Sequence, residues 1–462
     1  MQFIHEQPRV PLGECALGTK HINQTGHLLR VLGLAFGIAI GVGTMIGGGI
    51  LRTPGSVADR LVEPWLILLF WGLGGLHALL GANVIAEIST AVPKAGGLYV
   101  PTRRAFGDFA GLLVGWSDWL TNAAAAAALA LVFGEFAALL IPGLSPHKSS
   151  IAAAILLVLV GLNWLGVREG STVQKAGSAL KCLLLLLLVG AIFLFVPAAT
   201  EASNKGIAGD AITVAGAIVA YQLIYGVFSG WPSPVFFVEE DENALRNIPK
   251  AMALSIVAVT LVYLLINAAL LYALPFQSLR TAELPAALAM QGIFGGASGQ
   301  LVAGLAMVIV ASCLNGVVMV LPRILYGLGR DGLFVSAATK VNKGGTPDVA
   351  LGISAVLAVL LTVTGTFETV FLLMGALIVF TMIVSEASLF GLRIKEPTLP
   401  RPYRAKGYPA LPVLLLLIDL FLLGAIVWAD PSSGLYMFLL IAVSVPIHLW
   451  LRRKKTVLSQ PG

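Results

Sequence analysis

Apolar runs long enough to cross the hydrocarbon core of a bilayer as helices recur along the whole chain. They fall at approximately 31–60, 64–90, 109–140, 149–166, 171–197, 211–238, 249–274, 299–328, 347–365, 367–391, 409–429 and 434–451, twelve expected spans in all. Such a chain has few ways to fold. In lipid every backbone amide and carbonyl must be satisfied inside the protein, so the runs must be helices packed on one another. Composition agrees, because 58% of the 462 residues are hydrophobic and 11% are charged, against about 25% charged in an ordinary soluble domain. The longest connections, about 92–108, 275–298 and 329–346, are too short for a core of their own, so one all-α integral membrane domain is expected.

The basic residues set the orientation. With the N-terminus in the cytoplasm, 24 of the 29 Lys and Arg fall on the cytoplasmic side, which the positive-inside rule favours and which puts both termini there, in a cell membrane. The net charge of +6 is scattered singly between apolar runs rather than gathered on one element, so no nucleic-acid partner is expected. The first 30 residues, with His5, Glu6, Arg9, Lys20 and Arg30, lack the apolar core of a signal peptide, and insertion is expected to use the first span. Cys15, Cys182 and Cys313 stand far apart, which speaks against disulfides and zinc, and no cofactor is implied. No segment expected outside the cell carries a cysteine, so a disulfide-linked accessory subunit is not expected.

Two spans are interrupted. The first carries Gly41, Gly43 and the run Gly47-Gly48-Gly49, and each glycine costs about 1 kcal/mol relative to alanine in a helix interior. One pair of glycines would read as close helix packing, whereas three in a row argue for unwinding. The sixth span carries Gly230-Trp231-Pro232-Ser233-Pro234, whose prolines lack amide donors and clash with preceding carbonyls. One break lies in the first helix of each of two five-helix blocks, and interrupted segments at matched positions point to a transport site between inverted repeats. At such breaks, amides at a restarting helix can hold a carboxylate and carbonyls at a helix C-terminus can hold an ammonium.

The motifs then resemble those of the amino acid–polyamine–organocation transporter superfamily. IGGGILRTPG ends span 1, AVPKAGGLYVPTRRAFGD follows span 2, EEDENALRNIPKAM follows span 6 and RILYGLGRDG ends span 8, all in the family's order. The resemblance implies a LeuT-like fold with twelve transmembrane helices and helices 1 and 6 unwound. The cytoplasmic tail 1–30 would precede a first repeat 31–197 and an inverted repeat 211–391, with two further helices in 409–451 and a C-terminal tail 452–462. It also implies alternating access, with an amino acid as substrate and the lipid bilayer as surroundings. By the same matching, the substrate carboxylate would meet the amides of Gly47, Gly48 and Gly49, and its amino group the carbonyls of Met45, Gly226 and Ser229, with Phe228 and Trp231 beside them. Lys181, seven residues after Gln174, resembles the lysine that stands in for a bound sodium ion in amino acid exchangers and braces span 5 against span 1, so sodium dependence is not expected. Where many relatives carry an aromatic gate this chain has Gly226, and Ala244 replaces the usual proline after Asn243.

Other polar residues divide between path and scaffold. Asp118 and Asn122, four apart, share a face of span 3 and either line the solute path or, for Asp118, carry a coupling proton or face solvent. Ser312 and Asn315 on span 8 are further candidates. Glu87 is expected to pair with Arg103 or Arg104, Glu239 and Glu240 to anchor the end of span 6, and His77 to be packed and hydrogen-bonded, while Glu135 has no evident partner. An intramembrane enzyme would need a nucleophile with a base, or two carboxylates at one depth, and Asp118 is expected to stand without a carboxylate partner. A channel would use repeated filter loops. A membrane sensor or structural subunit does not account for two matched breaks. No acid stands at either break, which favours neutral L-amino acids, carried by sodium-independent exchange or proton symport, over cationic amino acids or polyamines.

Overall fold

The computed structural model describes residues 28–199, 212–365 and 367–458, and the side chains within them except those of 367–374 and 450–458. Cys15, Lys205, most of the N-terminal tail and the last four residues lie outside these residues. Sixteen α-helices follow one another: α1 Leu34–Met45, α2 Gly49–Leu61, α3 Pro64–Ala91, α4 Tyr99–Phe106, α5 Asp108–Leu140, α6 Lys148–Leu165, α7 Val167–Phe195, α8 Val214–Phe228, α9 Ala244–Ala273, α10 Phe276–Thr281, α11 Pro285–Phe294, α12 Ser298–Arg330, α13 Asp348–Thr364, α14 Phe367–Lys395, α15 Ala410–Ala429 and α16 Pro431–Leu458. No strand occurs among the described residues; the one β-bridge pairs Leu32 with Asp241.

Against the twelve expected spans, ten helical segments among the described residues are long and apolar enough to cross a bilayer, and the bent pair α1–α2 makes an eleventh. Helix α13 is apolar but only 17 residues long. The chain direction changes by 48° between α1 and α2, where Ile46 leaves helical geometry at φ −78° and ψ 91°. Helix α8 ends at Phe228, and after Pro232 only a 3₁₀ turn, Ser233–Phe237, follows.

Helices α1, α5, α9 and α12 fill the centre, and α6, α7 and α15 present apolar side chains such as Val158, Leu194, Phe195 and Phe421 outward, as a lipid-facing surface requires. Polar ties join the helices at one end of the bundle. Leu32 N–H donates to Glu240 O at 2.9 Å and Arg30 Nε to Asp241 O at 2.9 Å, linking the start of α1 to the segment after the α8 break. Glu240 and Glu239 do anchor that segment, Glu240 to Arg323 through two bonds of 2.9 and 2.8 Å and Glu239 to Arg330 at 2.7 Å.

Glu87 departs from expectation. It receives Arg393 at 2.9 and 2.6 Å and Arg401 at 3.1 Å, whereas Arg103 turns to Asp108 and Asp331 and Arg104 to Glu396. The reason is tertiary: α14 packs along α3 and brings Arg393 onto Glu87, and the segment after α14 brings Arg401.

Candidate functional site

A cavity of about 410 Å³ lies where the two breaks meet, within the size range of small-molecule sites. Thr44 joins its two halves. Its hydroxyl lies 2.8 Å from Gly230 O and 2.9 Å from Ser233 Oγ, across from its own helix. A Cβ on Gly230 would sit 2.4 Å from the carbonyl carbon of Thr44, so only glycine lets the two backbones approach this closely.

The last carbonyls of α1 have no amides ahead of them in the helix, and each finds another donor. Lys181 Nζ donates to Gly43 O at 2.6 Å and Ile46 O at 2.8 Å, Cys313 Sγ to Thr44 O at 3.4 Å, and Tyr263 Oη to Met45 O at 2.8 Å. Gly47 N–H also donates to Met45 O, at 3.0 Å. Of the amides that open α2, that of Leu51 reaches back to Gly48 O at 3.3 Å, whereas those of Gly48 and Gly49 have no preceding helical carbonyl to bond. Gly48 and Gly49 line the cavity, at the positive end of the helix they open.

Lys181 belongs to a face rather than a point. Gln174, Ser178 and Lys181 follow helical spacing on α7, and all three reach α1: Gln174 Nε2 and Ser178 Oγ donate to Ala39 O at 3.3 and 2.7 Å. Gly43 makes this possible, because a Cβ there would lie 1.7 Å from Gln174 Nε2.

Of the residues singled out in the sequence, Met45, Gly47, Gly48, Gly49, Asp118, Asn122, Gly226 and Ser229 line the cavity. Gly226 borders open space, with no atom within 4 Å of where a Cβ would stand, and its carbonyl already accepts from Ser229 Oγ at 2.8 Å. Phe228 and Trp231 do not line the cavity: Phe228 packs on Trp71 and Tyr263, and Trp231 lies over Gly81. Lys181, Ser312 and Asn315 sit behind it. Asn315 donates to Gln174 Oε1 at 2.8 Å and accepts from Asn163 at 2.9 Å, within a buried polar chain, while Ser312 Oγ, beside Gly177, has no partner among the described residues.

Asp118 and Arg52 are the charged residues lining the cavity. Arg52 bridges to Glu135 at 3.0 Å, which supplies the partner Glu135 lacked in the sequence. Asp118 Oδ1 accepts from Asn122 at 3.0 Å, and Oδ2 is buried without a partner among the described residues. The rest of the lining is mainly small or apolar, with Leu129, Val132, Val227, Ile378 and Met382 prominent.

Thr44 and Tyr263 were not foreseen. Thr44 lies inside an apolar, glycine-rich run, and Tyr263 is one aromatic on a long apolar helix, so no local signal marked either. His77 is hydrogen-bonded, Nδ1 lying 2.6 Å from Tyr221 Oη, and its Nε2 approaches Asp419 at 3.1 Å. Asp118 has no carboxylate partner among the described residues, yet a different carboxyl pair, Glu386 with Asp419, is buried elsewhere in the bundle.

The chain is similar to known proteins over nearly its whole length. It is 28% identical over 441 residues to the serine/threonine exchanger SteT of Bacillus subtilis, covering 94% of this chain and 99% of that protein. It is 29% identical to the large neutral amino acids transporter small subunit 2 of Homo sapiens, covering 91% and 80%, and 27% identical to the human b(0,+)-type amino acid transporter 1, covering 88% and 85%. A family profile describing amino acid permeases matches residues 28–446. With two facing helix breaks around one cavity and that match across the chain, this protein is a member of the amino acid permease family.

Proposed function

We propose that this permease carries neutral L-amino acids across the cell membrane by alternating access, without sodium, in exchange or together with a proton. The observation that carries the reading is the cavity between the two breaks, which offers amides at one helix start, carbonyls at helix ends and a mainly apolar wall. The α-carboxylate meets the free amides of Gly48 and Gly49, with Gly47 adjoining. The ammonium lies toward the carbonyls of Met45, Gly226 and Ser229, and Phe228 and Trp231 support the α8 side from behind. Names borne by the relatives, a serine/threonine exchanger and a large neutral amino acids transporter, support the neutral class.

Twelve spans follow if α13 crosses the bilayer beside the other eleven. They divide into a first repeat 31–197, an inverted repeat 211–391 and two further helices in 409–451, flanked by cytoplasmic tails 1–30 and 452–462. Support comes from the matched breaks and from the charge asymmetry of the loops. No partner subunit is proposed.

Asp118 favours a second reading. The residue lines the cavity with one oxygen buried and unpartnered among the described residues, and its carboxyl would receive the side-chain cation of a basic amino acid or a polyamine. Uptake into proteoliposomes across a panel of labelled amino acids decides between the two. Serine, threonine or leucine should enter saturably at equal rates in sodium and potassium buffers; saturable uptake confined to arginine or putrescine would overturn the neutral reading, and a strict sodium requirement would overturn the role given to Lys181.

Gly226 sets the size limit. Gly226→Phe should fill the open space and exclude leucine first, raising its KM by roughly tenfold or more relative to serine, as expected when a pocket loses room for a few methylenes. Equal losses for both solutes would show that Gly226 does not shape the side-chain pocket.

A further inference from the structure

Away from the cavity, α3, α8, α14 and α15 enclose a group of ionisable side chains. Glu386 on α14 is 2% exposed and Asp419 on α15 is 0% exposed. Their carboxyls face one another, and Glu386 Oε2 and both oxygens of Asp419 have no hydrogen-bond donor among the described residues. His77 Nε2 stands 3.1 Å from Asp419 Oδ1, at ion-pair distance, and its Nδ1 meets Tyr221 Oη at 2.6 Å. Tyr225 packs edge-on against the imidazole at 5.3 Å. Ala376, Val379, Leu422 and Ile426 close the surroundings as apolar wall, with Met437 from α16 against them. The titratable groups facing the pair are therefore His77, Tyr221 and Tyr225, and no Lys or Arg among the described residues pairs with either acid.

Two acceptor-only carboxylates cannot hydrogen-bond to each other, and two like charges out of water repel strongly. A shared proton removes both problems at once, because one acid then donates to the other and the pair titrates as a unit. An intramembrane carboxyl pair that no Lys or Arg among the described residues neutralises, with only an imidazole beside it, is costly to keep and points to a function.

The position relates this pair to the breaks. A Cβ on Gly81 would lie 2.7 Å from the Trp231 ring and 3.5 Å from Glu386 Oε1, so Trp231, just past the end of α8, and the Glu386 carboxyl border the same glycine of α3. Met382 lines the cavity, and Glu386 follows one turn later on the same face of α14. Helix α8 likewise gives Gly226 to the cavity and the adjacent Tyr225 to the acid pair.

We propose that Glu386, Asp419 and His77 form a proton-binding site distinct from the amino-acid cavity, and that its occupancy acts on the α8 break through Trp231. A proton from water adds to the carboxyl pair and leaves it again with no other bond changed. The coupling half of the proposal rests on the transport function above, whereas the site itself does not.

Infrared difference spectroscopy of the full chain in lipid, stepped in pH, tests the site without requiring transport. The carbonyl stretch of a protonated carboxylic acid should disappear reversibly as pH rises in the wild type. It should be lost in E386Q and in D419N, remain in D118N and shift its midpoint in H77Q. An unchanged band in both E386Q and D419N overturns the site, and two variants guard against one that does not fold. In proteoliposomes, wild-type amino-acid exchange should vary severalfold between mildly acidic and mildly alkaline pH, and E386Q should lose that dependence. Exchange by E386Q with the wild-type pH profile overturns the coupling. A wild type that moves no amino acid would instead count against the proposed function, with the infrared result still deciding the proton site.

Discussion

Lys181→Met should reduce amino-acid uptake to the level of empty vesicles while the protein still folds and inserts. The side chain is wholly buried, and its ammonium supplies donors to Gly43 O and Ile46 O, two carbonyls at the end of α1 that no helical amide can reach. Removing it leaves two buried acceptors unsatisfied, at about 1–3 kcal/mol each, and removes a positive charge from the negative end of a helix. The turn Ile46–Gly48 would then have to find other partners, and the geometry of the cavity with it. Lys181→Arg should not rescue uptake, because a forked guanidinium cannot replace a point charge fitted between two carbonyls on one short turn. Gln174 and Ser178 hold Ala39 independently, so α7 should stay docked on α1 in both variants. Thermal unfolding in detergent and labelled-serine uptake measure the two effects separately. Near wild-type uptake by Lys181→Met would remove the bracing role.

The residues that carry this first expectation were legible in the sequence for a simple reason. Three successive glycines and a Gly-Trp-Pro-Ser-Pro run are local chemistry, and their effect on a helix in lipid does not depend on the rest of the fold. Lys181 was legible through its motif and because a lysine within an apolar run stands out. The acid pair was not. Glu386, Asp419 and His77 lie on three helices that are apolar around most of their surface, and such helices have no amphipathic stripe to show which face packs inward. Glu87 failed in a related way, because several arginines could have served it and only the packing of α14 against α3 selects Arg393. The span count blurred at α13 and along Pro285–Arg330, where composition alone does not say how much of a helix crosses the bilayer.

Breaking the Glu240–Arg323 pair should cost more stability than breaking an exposed ion pair such as Arg104–Glu396. The two side chains are 0% and 1% exposed and meet through two parallel bonds of 2.9 and 2.8 Å. Arg323 Nη1 also donates to Met319 O at 2.8 Å, and its guanidinium lies 4.9 Å from the centre of the Phe237 ring. Arg323→Met strands a buried carboxylate, for which roughly 3–5 kcal/mol is typical. The position magnifies the effect, because the backbone carbonyl of Glu240 also receives the amides of Val31 and Leu32 at 3.0 and 2.9 Å and so ties the start of α1 to the segment after the α8 break. The double variant Glu240→Gln/Arg323→Met removes both charges, and it should regain a large part of the lost stability even though the ion pair is gone. Thermal unfolding of the four proteins of this cycle in detergent supplies the measurement. Additive losses from the two single substitutions would show that the pair acts as two independent contacts, and that the link between the two breaks at this end of the bundle is carried by the backbone alone.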